Sequence, residues 1–182
     1  MRLGIYAGSF NPPHEGHKRV ADYVLQKDLV DEVLLLPTPN YWHKTDLIDI
    51  NERVEMLKFY EEEKIKVDNV HNIYPYTYQV LEALKKDYPN DELYLIIGSD
   101  NLEKLHEWKN IEEILKNKII VLRRGSIKEN EYLLDYKDQF IYCDDFDYID
   151  VSSTSIREGD TFHLNPQIVE YIRNHHLYEN IQ

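Results

Sequence analysis

Residues 8–17 read Gly8-Ser9-Phe10-Asn11-Pro12-Pro13-His14-Glu15-Gly16-His17. They follow a short apolar segment, Leu3 to Ala7, that predicts a buried strand, and they lead into a helical pattern from Lys18 to Gln26. Open α/β sheets bind phosphate at such a junction, because the strand ends at a crevice and the next helix begins with free N–H groups. The stretch therefore predicts an α/β fold with an anion site beside the first strand.

His14 and His17 carry the chemistry that this junction suggests. On a first helical turn their spacing places them on one face, where they can bracket one anion and donate hydrogen bonds to it. The alternative is an ordinary turn, which is the usual meaning of a run of glycine, proline and asparagine. The pair H-x-G-H directly after a strand is a narrower pattern, and it favours the anion site.

The chain as a whole is acidic and contains one cysteine. Its formal net charge of −13 over 182 residues argues against a general binder of nucleic acid or of membrane surfaces, which need a basic face. A single cysteine, Cys143, cannot form an internal disulfide, which fits a reducing compartment. The predicted strand near Met1 leaves no room for a signal peptide, and no apolar run reaches membrane-spanning length. We therefore expect one cytoplasmic domain over residues 1–182.

Apolar segments that predict strands alternate with helical stripes along the chain. Strands are predicted at 3–7, 32–37, 65–70, 92–98 and 118–123, with weaker candidates at 140–143 and 148–151. Helices are predicted at 18–26, at 51–63 with Asn51 as cap, from a cap at Thr77, around 111–115, and to 174 from Asn165 and Pro166. This order indicates a single Rossmann-like α/β domain, mostly parallel, with helices on both faces of the sheet. No G-x-G-x-x-G follows strand one, so a hydride-transfer enzyme is not expected.

A second cluster of polar residues follows the last strand candidate, in Val151-Ser152-Ser153-Thr154-Ser155-Ile156-Arg157. A run of hydroxyl side chains is usually a solvated loop. Here the run can open a short helix, so that hydroxyl and N–H groups face one anion while Arg157 binds it through two nitrogens. The sequence thus predicts a second phosphate site.

The two motifs together resemble the nucleotidylyltransferase superfamily, in which H-x-G-H contacts the phosphates at the point of attack and S-S-T-x-I-R holds the triphosphate tail. The resemblance covers nearly the whole chain. Asn11 stands where many relatives carry aspartate, while both histidines of the H-x-G-H motif are present. The resemblance, together with a strand end at which Asp100 can hold ribose hydroxyls or cap a helix, implies the following ATP-binding residues: Gly8, Ser9, Phe10, His14, Gly16, His17, Gly98, Asp100, Ser153, Thr154 and Arg157.

The segment from Gly98 to Lys109 looks like the G-x-D-x-L…W-K element of nicotinate-nucleotide adenylyltransferases, in which the tryptophan stacks on the pyridine ring of the acceptor. The same resemblance gives Lys44 charge for phosphate groups, since it belongs to an H-K pair, and places a Y-T element near the nicotinate pocket. Gln79 and Val80 depart from the family pattern there. The implied acceptor-binding residues are Lys44, Thr77, Tyr78, Trp108 and Arg124. The alternatives are a core position for the tryptophan and solvated positions for the lysine and the arginine.

This resemblance implies adenylyl transfer from ATP to nicotinate mononucleotide, with deamido-NAD and pyrophosphate as products. His14, His17 and Lys44 would be catalytic, and Mg²⁺ would arrive on the ATP phosphates without a metal ligand from the protein. Phosphopantetheine adenylyltransferases share H-x-G-H but usually carry threonine near Asn11, so they rank lower. Two other classes stay open. One is an adenylyl- or cytidylyltransferase for another acceptor, such as nicotinamide mononucleotide or a phosphorylated alcohol, and the other is a non-catalytic nucleotide-binding protein.

Overall fold

The computed structural model describes residues 1–40 and 47–182. The strands are Arg2–Gly8 (β1), Glu32–Pro37 (β2), Ile65–Val67 (β3), Glu92–Gly98 (β4), Lys118–Leu122 (β5) and Phe140–Cys143 (β6). The α-helices are Glu15–Gln26 (α1), Ile50–Leu57 (α2), Thr77–Asp87 (α3), Ser99–Leu102 (α4), Ile111–Ile114 (α5), Ser153–Arg157 (α6) and Pro166–Asn174 (α7). Short 3-10 helices are Lys58–Tyr60, Leu105–Glu107, Glu131–Gln139 and Glu179–Ile181.

The six strands form one sheet in the order β3-β2-β1-β4-β5-β6, and every pair of neighbours is parallel. Ile5 of β1 lies opposite Leu34 of β2 on one side and Leu95 of β4 on the other. The strand order reverses between β1 and β4, and ligands of such sheets bind in the crevice beyond the carboxyl ends at that point. The predicted Rossmann-like α/β fold is confirmed, and residues 8–17 follow the strand that borders this crevice.

Helices cover both faces of the sheet because its central strands carry buried apolar side chains on both faces. Leu95 and Ile97 of β4 pack in one buried cluster with Leu84 of α3. Ile96 points to the opposite face, where it joins Val24 of α1 in a second cluster. Burial of each such side chain is worth about 1.5–3 kcal/mol, so both faces contribute to the stability of the sheet.

The terminal helix α7 forms as the sequence predicts and joins two other helices. The Asn165 side chain accepts the N–H of Gln167 at 2.8 Å and caps the helix. Ile168 of α7 is fully buried in a third cluster, together with Ile156 of α6 and Met56 of α2. The second polar motif, which lies on α6, is therefore fixed by the core.

Three predicted boundaries were wrong for local reasons. Helix α1 begins at Glu15 because His14 caps it. Strand β3 ends at Val67, since the carboxylate of Asp68 accepts two backbone N–H groups from the residues that follow and turns the chain. Residues 148–151 form no strand, and part of that segment lines a cavity instead.

Two predicted helix caps were also wrong. Asp49 precedes α2, so that Asn51 lies within the helix, and α2 ends at Leu57 rather than at residue 63. Tyr76 precedes α3, so that Thr77 is the first helical residue. None of the helices in residues 1–40 and 47–182 combines the length and the apolar character needed to cross a membrane.

Candidate active site

A cavity of about 500 Å³ opens at the carboxyl ends of β1, β4 and β5, where the strand order reverses. Its walls come from the junction after β1, from the start of α4 and from the segment that follows β6. It brings together residues that are far apart in sequence. The predicted site residues that line it are Gly8, Phe10, His14, Gly16, His17, Thr77, Gly98, Asp100, Trp108 and Arg124.

The rings of His14 and His17 stack at the start of α1, with centroids 3.7 Å apart. Nδ1 of His14 accepts the N–H of Gly16 at 3.1 Å, and Nδ1 of His17 accepts the N–H of His14 at 3.0 Å. A ring nitrogen that accepts a hydrogen bond carries no proton, and a neutral imidazole then carries its proton on the other nitrogen. Both rings therefore have Nε2–H as their donor.

The environment keeps both histidines neutral. Burial, together with the charge of Arg124 and the nearby His163, lowers the pKa of His14 to about 4. Burial also lowers the pKa of His17 well below its ordinary value, and His14 and Arg124 lower it further. Near pH 7 the cavity thus contains two neutral N–H donors, which can bind phosphate oxygens without adding a net charge.

Two glycines allow the side chains of the site to lie close to the backbone. A Cβ on Gly16 would lie 2.9 Å from Cε1 of His14, so a larger residue would displace the ring. A Cβ on Gly98 would lie 2.4 Å from Oδ1 of Asp100. The exposed Asp100 lies in the first turn of α4, which Gly98 precedes, so Asp100 is not the cap.

The two polar motifs meet in space although they stand at opposite ends of the chain. Oγ of Ser153 donates to the carbonyl of Pro12 at 2.9 Å, and Nη1 of Arg157 donates to the carbonyl of Asn11 at 2.8 Å. Thr154 lies beside the guanidinium, with Oγ1 at 3.4 Å from Nη2. These three residues of α6 do not line the cavity, and two of them, Ser153 and Arg157, contact the loop that leads to His14.

Arg53 braces the same loop from the other side, and its side chain is fully buried. Its guanidinium donates to the carbonyl of Ser9 at 2.9 Å, to the carbonyl of Ile48 at 2.9 Å and to Oδ1 of Asn40 at 3.1 Å. Ser9, a predicted ATP-binding residue, therefore contributes its carbonyl to this contact. The role of Arg53 follows from these contacts.

The predicted acceptor residues divide into two groups. Trp108 and Thr77 line the cavity, and both also line an adjacent cleft of about 210 Å³ in which Nζ of Lys109 lies 4.4 Å from the ring centroid of Tyr76. The side chain of Tyr78 points away and lines a different groove beside α3. Its backbone N–H nevertheless belongs to the first turn of α3.

Gln79, which departs from the family pattern, has a structural role at the same helix start. Its Oε1 accepts the N–H of Tyr76 at 3.2 Å, so the amide caps α3 as an acid would. Val80 is buried in the core cluster between the sheet and α3. Neither residue lines the cavity beside Thr77 and Trp108.

Arg124 is positioned by a reciprocal contact with the start of α4. Oγ of Ser99 accepts the N–H of Arg124 at 2.8 Å and donates to its carbonyl at 2.9 Å. The side chain is exposed and lines the cavity. The neighbouring Arg123 instead donates to the carbonyls of Asp144 and Phe146 and braces the loop after β6.

Other cavity residues were not predicted from the sequence. Tyr6 is the one aromatic residue of β1, and its ring centroid lies 5.5 Å from that of Phe10. That single aromatic residue was a usable signal. Others required the tertiary structure, among them Thr38, Asn101, Phe146, Tyr148 and Ile149. Lys44, predicted as a catalytic residue, lies outside the described residues.

Comparison with known proteins gives consistent results. The cytidylyltransferase-like family model matches residues 5–159. The chain is 34% identical to the probable nicotinate-nucleotide adenylyltransferase of Flavobacterium johnsoniae, over 98% of this chain and 100% of the relative. It is also 34% identical to the nicotinate-nucleotide adenylyltransferase of Bacillus subtilis, over 98% and 99%. Plasmodium falciparum nicotinic acid mononucleotide adenylyltransferase, solved in complex with APC and with NaAD, shares the fold with a TM-score of 0.80 at 22% identity, over 98% of this chain and 97% of that one.

Proposed function

Because the chain belongs to the cytidylyltransferase-like family, among its nicotinate-nucleotide adenylyltransferases, we propose that it transfers the adenylyl group of ATP to nicotinate mononucleotide. It is a nucleotidyltransferase of NAD biosynthesis, and its products are deamido-NAD and pyrophosphate. The observation that carries the proposal is the stacked pair His14 and His17, whose Nε2–H donors belong to the cavity at the reversal of strand order. Fixed donors of this kind stabilise the charge of a phosphoryl transition state.

ATP would lie across the reversal point, with its α-phosphate at His14 and His17. Asp100 lies at the mouth beside Gly98, where its carboxylate suits the ribose hydroxyls. The triphosphate tail would extend toward α6, where Thr154 offers its hydroxyl and Arg157 its remaining guanidinium N–H groups. Ser153, predicted for the same site, would have to release the carbonyl of Pro12 to donate to phosphate. Gly8, Ser9, Phe10 and Gly16 complete the backbone of this predicted ATP site.

Nicotinate mononucleotide would enter from the side of the cavity lined by Trp108 and Thr77. The indole can stack on the pyridine ring, and the first N–H groups of α3, those of Thr77 and Tyr78, suit the carboxylate. Arg124 would bind the acceptor phosphate from the opposite wall. We also propose that Lys44 is catalytic and supplies positive charge to the phosphate groups.

The reaction is an in-line displacement. An oxygen of the acceptor phosphate forms a bond to the α-phosphorus of ATP while the bond from that phosphorus to the bridging oxygen of the β-phosphate breaks. Pyrophosphate leaves with that electron pair. The acceptor is already an anion, so no general base is needed, and the protein supplies position and charge stabilisation.

We propose that Mg²⁺ accompanies ATP. Residues 1–40 and 47–182 contain no group of three or more acidic, histidine or cysteine side chains that could hold a metal ion. We propose that the ion would be held mainly by oxygens of phosphate and water, which are the ligands that Mg²⁺ prefers. When bound, the ion would neutralise charge on the leaving pyrophosphate. We also propose that residues 1–182 act as one domain in the cytoplasm, where a single buried thiol such as that of Cys143 stays reduced.

Pyrophosphate release over a panel of acceptors tests the function. With ATP and Mg²⁺, we expect kcat/KM for nicotinate mononucleotide to exceed that for nicotinamide mononucleotide by at least about tenfold, because an amide would place its NH₂ against the N–H donors of α3. CTP in place of ATP is the control for the nucleotide. Equal values, or a preference for the amide, would contradict the acceptor assignment. Release with none of the acceptors would contradict the enzymatic function.

A further inference from the structure

The segment after α7 returns to the loop that carries the histidines. Oη of Tyr178 donates to Oδ1 of Asn11, across 167 positions of sequence. Asn11 is buried, and Tyr178 is partly buried. Burial raises the pKa of the Tyr178 phenol, against the charges of Arg157 and Arg53, so the hydroxyl keeps the proton that it donates.

The backbone of this segment is held in a strained conformation. His176 and Tyr178 have φ angles of 54° and 52°, in the left-handed region that residues with a Cβ seldom adopt. The N–H of Leu177 donates to the carbonyl of Ile172 at 3.0 Å, and the N–H of Ile181 donates to the carbonyl of Tyr178 at 3.0 Å. These contacts fix the turn that brings the Tyr178 ring to the loop.

Asn11 is the point at which several elements hold the loop. Its carbonyl accepts from Arg157 of α6 at 2.8 Å, and its side chain also accepts the N–H of Ile48, which precedes α2, at 3.5 Å. Two prolines separate Asn11 from His14, so a shift of Asn11 is passed on to the histidine through a stiff connection. Tyr178 supplies the contact from the C-terminal segment.

We propose that Tyr178 is a positioning residue for His14 and His17 and acts through the side chain of Asn11. The inference rests on the proposed function. The hydroxyl of Tyr178 would touch neither substrate nor reacting atoms. Its hydrogen bond to Asn11 fixes the position of residues 9–14 relative to α6, and thereby the direction of the two Nε2–H donors.

Tyr178→Phe removes this hydroxyl and keeps the ring. The matched control is Tyr171→Phe, which removes a hydroxyl of α7 that donates to Glu52 at 2.8 Å and has no contact with the loop. We expect Tyr178→Phe to lower kcat about tenfold, because a small displacement of reacting groups is costly, with both KM values close to the parent. The control should keep the parental kcat, and both variants should show similar small shifts in Tm.

A double-mutant cycle with Asn11→Ala tests the route of the effect. If Tyr178 acts through Asn11, adding Tyr178→Phe to Asn11→Ala should cause no further loss of kcat. Equal kcat in Tyr178→Phe and Tyr171→Phe would overturn the proposal, and so would additive losses in the cycle. An inactive parent protein would instead contradict the proposed function, so the two failures are distinguishable.

Discussion

Replacing His14 or His17 by alanine should lower kcat by a factor of about 10²–10³, which corresponds to ~2.7–4 kcal/mol of lost transition-state stabilisation. Each neutral ring donates from Nε2, and the hydrogen bonds at Nδ1 fix its direction before substrate binds. Charge on the phosphate oxygens grows as the acceptor approaches, so the donors act mainly on the transition state. The KM for ATP should therefore change only by a modest factor.

The control for this prediction is His163→Ala, which removes an imidazole near His14 that does not line the cavity. It should leave kcat close to that of the parent. Asparagine at position 14 or 17 should restore part of the activity, because it keeps an N–H donor. A folded double variant, His14→Ala with His17→Ala, that turns over near the parental rate would show that the histidines are not catalytic.

Replacing Arg53 by methionine should lower the free energy of unfolding by about 3 kcal/mol, because the carbonyls of Ser9 and Ile48 would lose the donor that the fully buried Arg53 side chain supplies. The matched control is Arg2→Met. Arg2 also donates to several groups, of Asp28 and Asp31, but its side chain lies at the surface, where such contacts contribute little.

Urea denaturation measures the free energy of unfolding of the parent and of the two variants. The values can be compared directly if the m-value is the same in all three. We expect a clear loss for Arg53→Met and a much smaller one for Arg2→Met. Similar losses in both variants would mean that the contacts of Arg53 contribute no more to stability than those of a surface arginine. The inference that Arg53 braces the loop that leads to His14 would then be wrong.

The fold and the centre of the site follow from local patterns in the sequence. Alternation of apolar strands and helical stripes is a property of neighbouring residues, so it predicted the parallel sheet. The position of H-x-G-H after the first strand predicted the cavity wall, because the carboxyl ends of parallel strands meet at one edge of a sheet. Trp108 and Arg124 reach that cavity because β4 and β5 end at the same edge.

The contacts that orient the site could not be predicted in this way, because they depend on the geometry of a turn or on residues far apart in sequence. The N–H groups that fix the tautomers of His14 and His17 belong to the turn itself, and its geometry is absent from a pattern of residue types. The contacts of Arg53 with Ser9 and of Tyr178 with Asn11 cross from other elements. Three of residues 148–151, Tyr148, Ile149 and Val151, line the cavity, and the apolar pattern alone does not distinguish such a segment from a strand.

We propose that two neutral histidines, His14 and His17, donate from Nε2 in the cavity where adenylyl transfer would occur. Long-range ¹H–¹⁵N NMR of the imidazole rings, followed from pH 8 to pH 4, tests it most directly, with His14→Asn and His17→Asn for assignment. We expect both rings to carry the proton on Nε2 at neutral pH, and His14 to become protonated only as the pH approaches its pKa of about 4. An imidazolium signal from either residue at pH 7, or a proton on Nδ1, would contradict the account.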